Sequence, residues 1–268
     1  MKKWIIAALA LSLLLWGCAP MPETLEPESS IPTEPTDESS TPTTEVTEVT
    51  EPVITDPPHS ALYLPDCPQE KMLEYFSEVV LDVEYSDGTG DATLVQKWLS
   101  PIYYNYYGNP TDEDKAVLEA LFAQLNAVPG FPGIYPAQNA YQENLSLNFL
   151  NKTEFNNQFL DVVQGEDAYG ATQFWYWTAT NEIYTGRIGY RTDISQQERN
   201  SILLEEIINT LGISDTVLRE DSVVYQYSND NLALSDVDWV ILKILYDPAI
   251  QCGMSGAACT EILQGLYY

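Results

Sequence analysis

Apolar residues at Met72, Leu73, Tyr75, Phe76, Val79 and Val80 recur at the 3.6-residue period and predict a helix from Gln69 to Val80. A strand-like stretch follows over Lys97 to Tyr107. The run Asn109-Pro110-Thr111-Asp112-Glu113-Asp114 then reads as a helix start, with Thr111 as N-cap and acids facing the positive end of the dipole. That helix runs to Asn126, and Pro129-Gly130 stops it. Asn144 to Leu150 reads as a strand and Glu154 to Val163 as a short helix. The segments 173–180 and Glu182 to Tyr190, joined near Asn181, predict a β-hairpin. Ser195-Gln-Gln-Glu198 is a capping box opening a helix that buries Leu203, Leu204, Ile207, Ile208 and Leu211 and ends at Gly212. Its other face shows Glu198, Glu205, Glu206 and Asn209, expected as a solvated polar surface. A second capped helix starts at Ser235-Asp-Val-Asp238, runs to about Tyr246 and is ended by Pro248, and a last one follows Ser255. Strands and helices mix without a regular βαβ repeat, which predicts an α+β fold with a mixed sheet.

These elements occupy one domain, residues 61–268. The first 60 residues have another character. Lys2 and Lys3 precede a 13-residue apolar run from Trp4 to Trp16, too short to span a bilayer core of about 30 Å but suited to an export signal over residues 1–17. Between Ala19 and Ser60, 42 residues include 9 Pro, 14 Ser or Thr and 10 acids, so residues 18–60 are expected to form a disordered tether reaching roughly 35 Å. The whole chain carries 40 acidic residues against 11 basic ones. Phosphate backbones repel such a polyanion, which excludes nucleic acid as a partner.

Three stretches carry resemblances to known families. Leu15-Trp16-Gly17-Cys18 resembles the lipobox of bacterial lipoproteins, although Trp16 is bulkier than the residue usual there. It implies that Cys18 becomes a diacylated N-terminus, holding the protein to the membrane on its extracytoplasmic face. The segment from Leu204 to Asp215 looks like the zinc helix of metzincin-type metallopeptidases, with the pattern HExxHxxGxxH, and Ser222-Val-Val-Tyr225 resembles the turn that carries a methionine beneath the metal. More closely, Glu205-Glu206 through Gly212, Leu245-Tyr246-Asp247-Pro248 and Gly253-Met254-Ser255 are similar to the bacterial family known as domain of unknown function 2927. The resemblance implies a zincin-like fold with a degenerate zinc helix.

The departures decide what chemistry to expect. Glu205 stands at the first zinc histidine, Glu206 at the general base, Asn209 at the second histidine, Gly212 at the turn glycine and Asp215 at the third ligand, while Val224 replaces the methionine. The only histidine of the chain, His59, lies in the tether, so no imidazole zinc site can form in the domain. Without the metal, deprotonating water is harder by about 9 pKa units, roughly 12 kcal/mol, beyond what a carboxylate supplies. Glu205 and Glu206 point about 100° apart on a helix and do not flank one bond as glycosidase acids do. The expected catalytic set and the expected metal and cofactor are therefore none, and the alternative is a hydrolase working through carboxylates or an oxygen-ligated cation held by Glu205, Asn209 and Asp215. The loop Ser86-Asp87-Gly-Thr-Gly-Asp91 reads as a Gly-rich turn.

Two further features concern binding and redox state. Trp175, Trp177 and Tyr104, among other aromatics of the two strand regions, are candidates for a cleft taking a peptide, protein or glycan, since their rings combine apolar faces with polar edges. Alternating core and surface aromatics are the plainer reading. With Cys18 lipidated, Cys67, Cys252 and Cys259 remain, and a local disulfide between Cys252 and Cys259 is one arrangement that leaves Cys67 free.

Overall fold

The computed structural model describes residues 60–81, 94–163 and 168–267. The expected export signal, Cys18, His59, the tether up to residue 59 and the loop 86–91 lie outside the described residues. Helix α1 (Gln69–Leu81) leads to strand β1 (Lys97–Trp98) and strand β2 (Ile102–Gly108). One strand was expected over this stretch. It is split at Pro101, which has no amide hydrogen to give to a ladder. Helix α2 (Asp112–Leu125) has Thr111 as its N-cap in a full capping box with Asp114. A short strand not anticipated from sequence, β3 (Ile134–Pro136), follows, then β4 (Leu145–Leu150). The expected helix over 154–163 is two pieces, α3 (Lys152–Gln158) and α4 (Leu160–Val163), separated at Phe159. Strands β5 (Gly170–Tyr176) and β6 (Glu182–Arg191) form the expected hairpin, turning through Asn181 at φ 58°. Helices α5 (Gln196–Thr210), α6 (Asp236–Leu245) and α7 (Gly256–Tyr267) complete the chain.

The strands make one mixed, mostly parallel sheet in the order β1-β6-β4-β2-β3, with β5 antiparallel on the other edge of β6. This confirms α+β. Alternation along β2 and β4 sorts side chains to two faces. Ile102, Tyr104, Leu145, Leu147 and Phe149 are buried toward the main core with α2 and α5. On the other face a small second core of Phe155, Phe159, Val162, Ala171 and Leu150 forms under α3 and α4, which cover the β5–β6 corner and the adjoining end of β4.

The N-termini of α2 and α5 are joined by buried polar groups. Arg199 Nε donates to Asp114 Oδ1 at 2.8 Å and Gln196 Nε2 donates to the same oxygen at 2.7 Å, while the Thr111 amide donates to Asp114 Oδ2 at 2.8 Å. Burial alone would raise the Asp114 carboxyl; these donors outweigh it and hold the group below the ordinary carboxylate range. At the far end of α6, Lys97 Nζ donates to the carbonyls of Leu245 and Ile250 at 2.7 and 2.5 Å.

Candidate functional site

Helix α5 is the centre of the site that the motif positions predict, and its environment corrects one expectation. Glu205, Glu206 and Asn209 were expected on a solvated face, yet they are 2%, 1% and 5% exposed, and Asp215 is 5% exposed. The reason is packing on both sides of the polar stripe. Edge strand β5 lies along it so closely that a Cβ on Gly170 would overlap the Glu206 carboxylate and the Ile202 side chain. Thr172 Oγ1 of the same strand donates to the Glu206 carbonyl at 2.9 Å. From the other side the chain after α5 folds back, and Asn209 Nδ2 donates to Asp215 Oδ1 at 3.1 Å. Only a glycine permits that reversal. Gly212 sits at φ +95°, with the Gln96 carbonyl where a Cβ would stand.

The structure thus brings Asn209 and Asp215 into contact and leaves Glu205 one helical turn before Asn209. Asn209 Oδ1 and Thr210 Oγ1 are buried without a hydrogen-bond partner among the described residues. Tyr190, on β6, is wholly buried, and burial followed by the negative charge of nearby Glu206 pushes its hydroxyl well above the usual tyrosine range. A cation needs several oxygens converging at one point. Among the described residues no three His, Cys, Asp or Glu side chains converge in that way.

Segment 222–225 is a tied turn with Val224 fully buried. The Thr216 amide donates to the Val224 carbonyl at 2.8 Å, and the Gln226 amide returns to the Thr216 carbonyl at 3.1 Å. Ser222 Oγ donates to Asp238 Oδ1 at 2.6 Å and accepts from Tyr75 Oη at 3.0 Å. Asp238 also accepts from the Val223 and Ser235 amides, so one carboxylate both caps α6 and fixes the turn. Burial pushes Asp238 above the ordinary carboxylate range, against the opposing pull of those donors.

The three candidate aromatics do not share a cleft. Tyr104 is a core residue whose ring lies 4.7 Å from that of Phe122. Trp175 belongs to the opposite face of the sheet, and Trp177, 48% exposed, stacks on Tyr184 at 4.2 Å. On that opposite face, away from α3 and α4, Tyr103, Asn105, Ser146, Asn148, Trp175 and Arg187 are partly exposed. Tyr103 is paired with Tyr135, Asn105 with Ser146, Ser146 with Arg187, Arg187 with Gln173, and Trp175 with Thr185. The Arg187 guanidinium rests over Phe159 at 4.8 Å and Trp175 at 5.9 Å, and its Nε donates to Gln173 Oε1 at 2.8 Å. Sequence reading missed Tyr135, Ser146, Asn148 and Arg187 as members of this face. The signal was present as polar alternation in Leu145-Ser-Leu-Asn-Phe, but which strands lie side by side was not.

Cys252 and Cys259, the expected pair, are both free thiols, as is Cys67. Cys252 is half-buried with Sγ 3.5 Å from the Lys97 carbonyl, and burial raises all three thiols above their usual value. No helix among the described residues is long and apolar enough to cross a membrane. A search of curated proteins gives no match. The profile of the family described as Protein of unknown function (DUF2927) matches residues 69–265, from the start of α1 almost to the end of α7, and the chain therefore belongs to that family.

Proposed function

We propose that this protein is an exported lipoprotein, held to the extracytoplasmic face of a membrane through Cys18, whose domain is zincin-like in architecture and acts by binding an envelope component, peptide or protein rather than by catalysis. The burial of the α5 polar stripe carries this reading. A general base must reach a water that reaches a substrate, and Glu206 is 1% exposed and packed against Gly170 of the edge strand. The group in the ligand position at 209 is tied to its neighbour at 215 through an amide-to-carboxylate hydrogen bond, the arrangement of a structural pair. The antiparallel edge strand beside the motif helix, the left-handed glycine at 212 and the buried turn at 222–225 support the zincin-like comparison. The lipobox-like sequence at Cys18 and the Pro- and Thr-rich stretch after it support anchoring and display away from the lipid surface.

Cross-linking on intact cells tests the binding role, and a panel of peptide and ester substrates tests catalysis. Glu206→Gln is expected to capture the same partner as the wild type and to change no turnover. Turnover that the wild type shows and this variant lacks would sink the reading. For the anchor, Cys18→Ser is expected to release the protein from the membrane fraction.

A further inference from the structure

We propose that this partly exposed face of the sheet is a binding platform for a neutral polysaccharide, with Tyr103, Tyr135 and Trp175 as stacking rings and Ser146, Asn148 and Arg187 as the polar groups between them. The proposal rests on the binding role above and names its ligand class. Tyr135 is 45% exposed and its ring lies 6.3 Å from that of Tyr103 on the neighbouring strand. Trp175 stands three strands from Tyr103, across β4 and β6, and at about 4.8 Å per strand those two rings are roughly 14 Å apart, the span of a short run of sugar rings, with Tyr135 one strand further out. Aromatic faces bind the C–H side of a pyranose, and the hydroxyl and amide groups between them meet its ring hydroxyls. Asn148 spends its amide hydrogens on Ser146 and the Ile188 carbonyl, which orients its carbonyl oxygen as a fixed acceptor.

Charge and side-chain type select the ligand. In a chain of 40 acids, this face has Glu143 at its margin, and that carboxylate is already engaged by Asn105 and Tyr107, each at 2.6 Å. Its central cation, Arg187, is committed to Gln173 and to the rings of Phe159 and Trp175. Asp161 of α4 is the other charge that Arg187 feels, so cation and carboxylates offset one another and the face is near neutral where the rest of the molecule repels anions. Among the described residues its strands present no exposed aliphatic side chain of the kind that fills the centre of a protein interface, since Leu150 and Ala171 are sealed under α3 and α4, and exposed Leu160 lies on α4 at the margin.

Affinity electrophoresis of the full-length protein in detergent, in gels containing hydroxyethylcellulose, laminarin, galactomannan or xylan, tests this. Migration is expected to slow in at least one of the four and to stay unchanged in carboxymethylcellulose. Trp175→Ala is expected to weaken retention about tenfold, and Tyr135→Ala, at a more exposed site that threatens folding less, by several-fold. Tyr227→Ala, an exposed aromatic elsewhere, is expected to behave as wild type. No retardation in any neutral gel, equal retardation in the anionic one, or retention unaffected by both platform variants overturns the proposal. A protein cross-linked at positions 135 and 175 in cells overturns it too, while leaving the binding role intact; failure of the binding role itself shows instead as Glu206-dependent turnover.

Discussion

Removing the Asp114 carboxylate is the sharpest test of how the α5 site is held in place. Asp114 is wholly buried and serves three donors: Arg199 Nε, Gln196 Nε2 and the Thr111 amide. In Asp114→Ala the Arg199 guanidinium, 5% exposed, keeps only neutral acceptors such as Gln196 Oε1 and the Thr192 and Ile194 carbonyls. Stranding a buried charge costs about 3–5 kcal/mol. Loss of the N3 partner in the α2 capping box adds about 1 kcal/mol. The total, about 5 kcal/mol, corresponds to a fall in Tm of roughly 10–20 °C for a domain of this size. Urea and thermal unfolding measure it, with Asp114→Ala/Arg199→Met as the second arm. The double variant removes the stranded charge and is expected to recover a large part of the loss. The depressed Asp114 pKa fixes the pH dependence: its contribution is complete above about pH 4, the unfolded value, and fades as pH falls through the lower folded value. The gap between wild type and Asp114→Ala should therefore narrow in acid. A loss below about 1 kcal/mol at pH 7, or a double variant weaker than the single, would refute the account.

Other expectations follow from single contacts. Gly212→Ala should cost more than about 2 kcal/mol in urea unfolding, because it combines a left-handed φ with overlap on the Gln96 carbonyl. Gly170→Ala should cost about 1–3 kcal/mol by wedging β5 from Glu206 and Ile202. Asp238→Asn should show the opposite pH trend to Asp114→Ala. The folded Asp238 pKa is raised, so its stabilisation is complete below about pH 4 and declines as pH rises through the folded value, and the deficit of the variant shrinks toward neutrality. Under native conditions a thiol reagent should label Cys252 first, with Cys67 and Cys259 reacting only on unfolding.

The parts of this architecture written in local sequence were legible. Thr111, Ser195 and Ser235 each announce a helix through a side chain that accepts from the amide three residues on, and all three cap their helices, each within a full capping box. What was not legible is set by long-range pairing. The polar side of α5 reads as surface from its own residues, because helical period tells which residues share a face but not what covers that face. The cover is β5 on one side and Asp215 on the other, and neither contact has a signature in the helix itself. Tyr104 and Trp175 illustrate the same limit. Each lies on a strand with aromatic neighbours, and only the order β5-β6-β4-β2-β3 decides that one ring meets Phe122 in the core and the other lies on the opposite face.

The relation of α5 to a zinc helix can be tested by writing the missing ligands back. Glu205→His, Asn209→His and Asp215→His together restore the HExxHxxGxxH pattern around Glu206 and Gly212. The backbone already satisfies two requirements. Positions 205 and 209 are one turn apart on α5, and position 215 is brought to 209 by the reversal at Gly212, as the 3.1 Å Asn209–Asp215 hydrogen bond records. Imidazole nitrogens bind zinc at about 2.0–2.1 Å in tetrahedral geometry, so three nitrogens must meet within roughly 3–3.5 Å of one another. The substitution also removes two buried carboxylates and adds volume, costing stability in the apo form about 1–3 kcal/mol by overpacking. Zinc that binds only the folded state returns stability as its concentration exceeds Kd, about 4 kcal/mol at a thousandfold excess. The expected result is a Tm lowered in chelator and raised in zinc chloride, with one ion per chain by elemental analysis and no such rise in the wild type. A variant that folds yet shows no zinc-dependent shift would mean that positions 205, 209 and 215 do not converge as a zincin's ligands do, and the zincin-like assignment would fail on geometry.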